Sequence, residues 1–241
     1  IRGCSFENNI ARSSGGGGYI NYASIDNCLI VNNTSSYSGG GLYASNSTIT
    51  NCVIMGNSTT SYNNYNYSSS GGGGLYVSSS TVTACRITDN TAYYYGGGIY
   101  ASSSAISNTE LLNNISRQNG GGVYASSGSV LSCWRSDNQA SYSAGGIRIS
   151  GTQVRNCLVS NNTAGRTSSG YVGGGIQGTG TIVNTTIVRN SATGSGAGVN
   201  GNSSTKLWNS IVWGNKNNGV SDNLNGSSIV CSYSAVEGGY P

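Results

Sequence analysis

Gly39-Gly-Gly-Leu42-Tyr43-Ala44-Ser45-Asn46-Ser47-Thr48-Ile49-Thr50-Asn51-Cys52-Val53-Ile54-Met55-Gly56-Asn57 is one copy of a unit that the chain repeats from end to end. The glycine run with its following aliphatic and tyrosine recurs as Gly72-Gly-Gly-Leu75-Tyr76, Gly96-Gly-Gly-Ile99-Tyr100 and Gly120-Gly-Gly-Val123-Tyr124. About ten residues after each run comes a small residue that sets the register. It is Cys4, Cys28 and Cys52, then Cys85 after a longer interval, Thr109, Cys133 and Cys157, and the series continues at Thr185, Ser210 and Cys231. Self-similarity at such a period marks a solenoid, in which each unit buries its apolar edge only against its neighbours.

Aligned on that slot, each position acquires a role. Two residues on stand Phe6, Ile30, Ile54, Ile87, Leu111, Val159, Ile187 and Val212, with Arg135 as the charged exception. Three residues before it stand Ile25, Ile49, Val82, Ile106, Val130, Val154, Ile182 and Leu207. These are core columns. Five residues on, asparagine fills Asn9, Asn33, Asn57, Asn90, Asn114, Asn138, Asn162, Asn190 and Asn215, and a second asparagine column precedes the slot at Asn27, Asn51, Asn108, Asn156, Asn184 and Asn209.

Apolar residues around a slot with asparagine at +5 also fit a leucine-rich repeat. The glycine runs exclude it. Glycine and β-branched or aromatic residues disfavour helix, and the Leu42-Tyr43-Ala44 alternation has the period of a strand. The expectation is therefore an all-β fold, a single-stranded parallel β-helix of about ten rungs of ~24 residues, coiled right-handed as parallel crossovers are. Rungs lie roughly 4.8 Å apart, so a corner asparagine can bond its copies above and below, and its tolerance of αL geometry suits a turn. The Asn9 to Asn215 column is read as a structural ladder.

Phe6-Glu-Asn-Asn9 followed by Gly15-Gly-Gly-Gly18, and thereafter Ile/Val/Leu-x-x-Asn alternating with Gly-Gly-Gly-aliphatic, resembles the paired GGA(I/L/V) and FxxN motifs of the chlamydial polymorphic outer membrane protein repeats. Ile or Val stands where those repeats usually carry Phe. The wider likeness is to secreted bacterial right-handed β-helix proteins, and the stretches from Asn209 and from Ser232 resemble their closing rungs. The resemblance implies an extracellular or cell-surface protein, often adhesive or structural. Because the chain opens three residues before a core slot, it is read as one solenoid domain over residues 1–241 belonging to a longer secreted or surface protein.

Composition points the same way. Only 7% of residues are charged and histidine is absent, so solubility rests on Ser, Thr, Asn, Gly and Tyr, as suits an extracellular setting. The net charge of +4 comes without a basic run, which gives no support to nucleic acid as a partner. No apolar run in this segment is long enough to span a bilayer. The seven cysteines form a column whose rung spacing is wider than a disulfide's Cβ separation, so free thiols are expected, with one or two strained bridges as the alternative. No metal-ligand spacing appears, and no cofactor is expected.

Two surface features bear on function. Tyr43, Tyr76, Tyr100 and Tyr124 follow the inward aliphatic residue, so they should point outward and stack. A second group, including Tyr62, Tyr65, Tyr67, Tyr93, Tyr94 and Tyr95, falls between the asparagine column and the glycine run, where nine extra residues lengthen one unit. This tyrosine-rich edge is the candidate surface for self-association, as a fibre or surface layer, or for an extracellular polysaccharide. The alternative is a carbohydrate-active enzyme, a polysaccharide lyase or hydrolase, or a tailspike-like module. Its candidate acids, Asp89 and Asp137, share the +4 column two rungs apart, about 9 to 10 Å, at the far limit for an inverting pair. The same column holds Asn8, Asn32, Asn113 and Asn161, so the reading adopted is non-catalytic.

Overall fold

A computed structural model describes residues 1–60, 71–165, 172–226 and 228–239. Among them there is no helix, and none long and apolar enough to cross a membrane. Three parallel sheets run the length of a solenoid. The first stacks ten strands, from Ser5–Glu7 through Leu29–Val31 and Val53–Met55 to Ala235–Val236. The second stacks ten two-residue strands beginning at Ile10–Ala11 and Thr34–Ser35. The third contains fourteen and carries the segments after the glycine runs, such as Leu42–Ser45, Leu75–Ser78 and Ile99–Ser107. Register is kept across the long unit: Leu42 pairs with Leu75 and Ile54 with Ile87, so its extra residues leave the coil undisturbed.

The inward columns form one continuous core from Ile20 to Ile229, and most of its members are fully buried. Inside it the asparagine ladder is unbroken. Asn114 Oδ1 accepts from the Asn90 backbone N–H (3.1 Å) and Nδ2 (3.0 Å), while its own Nδ2 donates to Asn138 Oδ1 (3.0 Å) and to the Ile87 carbonyl (2.9 Å). The same pattern runs from Asn9, which is exposed on the first rung, to Asn215. It then passes to Asn223, outside the repeat register, whose amide donates to Glu237 (3.0 Å). There an antiparallel pair, Lys216–Asn217 with Val220–Ser221, covers the edge of the second sheet.

The slot column is a second ladder, and its geometry explains why Cys, Thr and Ser interchange. Along it a side chain accepts the backbone N–H of the preceding rung and donates to the carbonyl two residues back. Cys28 N–H donates to Cys52 Sγ (3.4 Å), Cys85 N–H to Thr109 Oγ1 (3.4 Å) and Thr185 N–H to Ser210 Oγ (3.2 Å), while Thr109 Oγ1 donates to the Ser107 carbonyl (2.8 Å). All seven cysteines are free thiols, with Cys4 exposed and Cys231 half-buried. Cys231 is not a slot residue. It pairs with Leu207 in the −3 column, and Ser234 takes the slot, accepting from Ser210 N–H (3.1 Å). The near-repeat spacing of Cys231 concealed a three-residue offset. A third ladder, at Ser47, Ser80 and Ser104, runs along the third sheet and had no distinguishing sequence signal in so Ser-rich a chain.

The corners also differ from expectation. The ladder asparagines do not adopt αL. That conformation belongs to the columns before the slot, Asn27, Asn51, Ala84, Asn108, Ser132 and Asn156, and four residues after it, Asn8, Asn32, Asp89, Asn113, Asp137 and Asn161, all with φ between 48° and 57° or at 58° for Asp137. Two asparagine columns thus turn the chain, and the third fastens the rungs. Glycine is needed where the glycine run turns: Gly39 has φ +65°, and a Cβ on Gly40 would lie 2.2 Å from the Gly73 carbonyl oxygen.

Arg135 is fully buried in the core column between Leu111 and Val159, and none of its guanidinium nitrogens has a hydrogen-bond partner. Beside it the Cys157 thiol pKa is lowered, chiefly by a hydrogen bond from Cys133 and further by the guanidinium, while Cys133 is raised.

Two outcomes follow from these contacts. Asn114→Ala takes the acceptor from the Asn90 backbone N–H and the amide donor from the Ile87 carbonyl in the core, while Asn90 Nδ2 keeps the Ile54 and Thr88 carbonyls, and it should cost roughly 3 kcal/mol in chemical denaturation. Asn9→Ala, at the exposed end of the ladder, should cost less than about 1 kcal/mol, and equal losses at both sites would refute the buried ladder. Arg135→Leu, which matches the neighbouring Leu111, should raise stability by about 2 kcal/mol because an uncompensated buried charge is removed. A lower midpoint for that variant would mean the guanidinium is satisfied.

Candidate functional site

The tyrosines after the glycine runs lie on the outer face of the third sheet because the preceding aliphatic residue points inward and alternation turns the next one out. In-register pairing then places equal side chains above one another. Tyr43 and Tyr76 stack with ring centroids 4.6 Å apart and planes 7° apart, although 33 residues separate them in sequence. Tyr76 and Tyr100 follow at 4.9 Å and 4°, and Tyr100 and Tyr124 at 5.1 Å and 5°. The stack extends one rung further, to Tyr19, 4.6 Å from Tyr43. Sequence reading missed Tyr19 because Gly18 stands where the other units carry an aliphatic residue. The ridge stops at Tyr124, whose partner on the next rung is Arg148.

Of the second tyrosine group, Tyr62, Tyr65 and Tyr67 lie outside the described residues. Tyr93, Tyr94 and Tyr95 do not form a separate edge. Tyr95 leans on Tyr124 (5.1 Å, 44°), Tyr94 contacts Tyr95 (6.2 Å), and Tyr93 meets Tyr94 edge-on (4.8 Å, 77°) beneath the Arg117 guanidinium (5.1 Å). Tyr94 is buried, 4% exposed, and so corrects the expectation that all three lie outside the core. The three tyrosines follow the two-residue strand Thr91–Ala92 in a bend, and the middle one packs inward.

The stack fixes what the ridge can offer. Rings held nearly parallel at such distances cover one another's faces, so edges and hydroxyls remain for contact. Tyr43, Tyr76, Tyr100 and Tyr124 are each half-buried, and Tyr19 is 63% exposed. Burial pushes the Tyr76 phenol up to about 12, and the neighbouring phenols Tyr43 and Tyr100 add to the shift; Tyr43, Tyr95 and Tyr100 are raised for the same leading reason.

The two candidate acids occupy αL corners, at φ 57° for Asp89 and 58° for Asp137. Each accepts a hydrogen bond from the hydroxyl just before it, Thr88 Oγ1 at 2.9 Å for Asp89 and Ser136 Oγ for Asp137. Aspartate shares with asparagine the short polar side chain that makes αL accessible, which accounts for both residues as turn formers. Among the described residues no group of His, Cys, Asp or Glu could hold a metal ion.

The repeat has known counterparts. Residues 27–45 and 84–102 match the Chlamydia polymorphic membrane protein (Chlamydia_PMP) repeat. Both segments begin at the αL residue before a slot cysteine and run through the ladder asparagine and glycine run to the outward tyrosine strand, so each covers the same structural unit. No curated protein and no solved structure matches the chain. With those two units lying in register in an all-β solenoid, the chain is a β-helix repeat protein similar to the Chlamydia polymorphic membrane proteins.

Proposed function

We propose that this chain is a non-catalytic, surface-associated solenoid with a structural or adhesin-like role, and that its tyrosine ridge is the face on which a second copy docks. The repeat similarity supports the surface-associated role. The unbroken five-tyrosine stack carries the contact. It presents a straight row of phenol hydroxyls, one per rung, that an identical row can meet in register. Stacking has already ordered the side chains, so association loses little rotamer entropy. With 7% charged residues overall, two copies meet little like-charge repulsion. A polysaccharide on this ridge is less well served, because the ring faces that sugars would stack on are covered. The αL corners at Asp89 and Asp137 give both acids a turn-forming role, which supports the non-catalytic reading over a lyase or hydrolase.

The combined Tyr43→Phe, Tyr76→Phe and Tyr100→Phe variant keeps the stack and removes the hydroxyls. Sedimentation velocity over a concentration series should show wild-type dimers and a dissociation constant weakened by roughly tenfold or more in the variant, with unchanged circular dichroism. A wild type that stays monomeric at all concentrations, or a dimer indifferent to the hydroxyls, would overturn the docking role.

The ridge also sets an alkaline limit. The fold favours the neutral phenol at Tyr76, so this contribution to stability is complete below the ordinary tyrosine value of 10.0 and is lost as pH rises through about 12. Urea midpoints should therefore be flat to that lower value and fall above it. The Tyr76→Phe variant should have the shallower fall, and an identical profile would exclude the phenol as the cause.

A further inference from the structure

The outer face of the first sheet carries a groove of about 620 Å³ on the edge of the coil, well away in sequence register from the tyrosine ridge. Its floor is the αL column before the slot. Past the groove exposed asparagines in that column bond to one another, Asn184 Nδ2 to Asn156 Oδ1 (3.1 Å) and Asn209 Nδ2 to Asn184 Oδ1 (2.8 Å), whereas before it Asn51 Nδ2 donates to Asp26 Oδ1 (2.9 Å). In the groove two small residues, Ala84 and Ser132, stand where most other units carry asparagine and flank Asn108. The exposed Asn108 amide makes no hydrogen bond to any described residue, and Asn156 keeps its Nδ2 free. Along the wall, one residue past the slot, stand Val53, Arg86, Glu110 and Trp134 on successive rungs. Arg86 and Glu110 pair at 3.2 Å, so the only charges lining the groove cancel. Trp134 is 66% exposed, and among the described residues no ring or cation lies over it.

We propose that this groove binds a neutral linear oligosaccharide, with a pyranose ring stacked on Trp134 and its hydroxyls bonded to the Asn108 and Asn156 amides. An open indole face beside unpaired amide donors and acceptors fits a sugar, whose ring offers an apolar C–H face and a hydroxyl rim. Each gap left by Ala84 and Ser132 makes room between polar rungs. An extended pyranose chain advances by about one sugar per rung, so successive residues meet equivalent heights of the sheet. The groove carries no net charge to select an acidic polymer. It lies on a different sheet from the tyrosine ridge, and the two surfaces can succeed or fail separately.

Isothermal titration calorimetry with cellohexaose and chitohexaose tests the assignment, with an acidic galacturonate hexamer as comparison. At least one neutral chain should bind the wild type, and Trp134→Ala should weaken it by about tenfold, the loss of one good stacking contact. Asn108→Ala should weaken it several-fold. Ala84→Asn supplies the missing outer amide, refills the gap and should lower affinity without lowering the melting temperature. Trp213→Ala, an exposed tryptophan outside the groove, and the triple tyrosine-to-phenylalanine variant should leave binding unchanged. Failure of both neutral hexamers to bind, affinity indifferent to Trp134→Ala, an equal loss in Trp213→Ala, or binding of the acidic hexamer alone would each overturn the proposal.

Discussion

Every other feature of this molecule depends on one interaction, the hydrogen-bonded file of buried asparagines. A primary amide in an apolar core is costly unless both its oxygen and its nitrogen are engaged. Here the oxygen of one rung takes two donors from the rung before, and its nitrogen serves the rung after and a backbone carbonyl. The bonding works only if the next rung offers the same amide at the same height. Exact axial alignment of the rungs is thereby required by an energetic penalty, and the backbone ladders of all three sheets inherit it.

That requirement explains where the chain is free to vary. The unit between Cys52 and Cys85 is nine residues longer than its neighbours, yet Asn57 still meets Asn90 at 3.0 Å and Tyr43 still stacks on Tyr76. The nine extra residues of this unit fall between the second sheet and the glycine run, where no inward amide has to keep its height. Likewise the ladder ends where the repeat does, with Asn223 supplying the last acceptor from a segment that no longer follows the period and Glu237 engaging the amide in turn. The Glu237 carboxyl is held below its usual range chiefly by that Asn223 bond and by the Gly214 backbone N–H.

Much of this was legible in the sequence because period, inward hydrophobicity and asparagine recurrence are one-dimensional signals. What escaped notice were distinctions between residues of the same type. Asparagine in three columns does two different jobs, and only the backbone shows that the corner columns are αL while the fastening column is not. Cys231 looks like a slot cysteine until pairing with Leu207 places it elsewhere. Tyr94 is compositionally the same as Tyr93 and Tyr95, and only the course of the bend after Thr91–Ala92 buries it. Tyr19 was hidden by a single glycine at position 18, although its place after a glycine run was available as a signal.

The outward columns answer to no such constraint, and this separates the scaffold from what it displays. An inward position must satisfy its neighbours above and below, whereas an outward one needs only to tolerate a strand. Functional specificity in a solenoid should therefore lie where outward columns either persist beyond what stability needs or break off without structural cause. The tyrosine ridge is the first kind: five rungs repeat a large aromatic on a face that smaller residues would serve, and then it stops at Arg148. The groove beside Trp134 is the second kind, since Ala84 and Ser132 stand in a column that forms an amide file from Asn156 to Asn209, and neither the φ of Ala84 (53°) nor that of Ser132 (50°) differs from those of its asparagines. Ala84 holds a conformation for which asparagine is better suited, so the small side chain at that corner costs backbone energy without an inward packing gain. The opening it leaves lies in the same groove as Trp134.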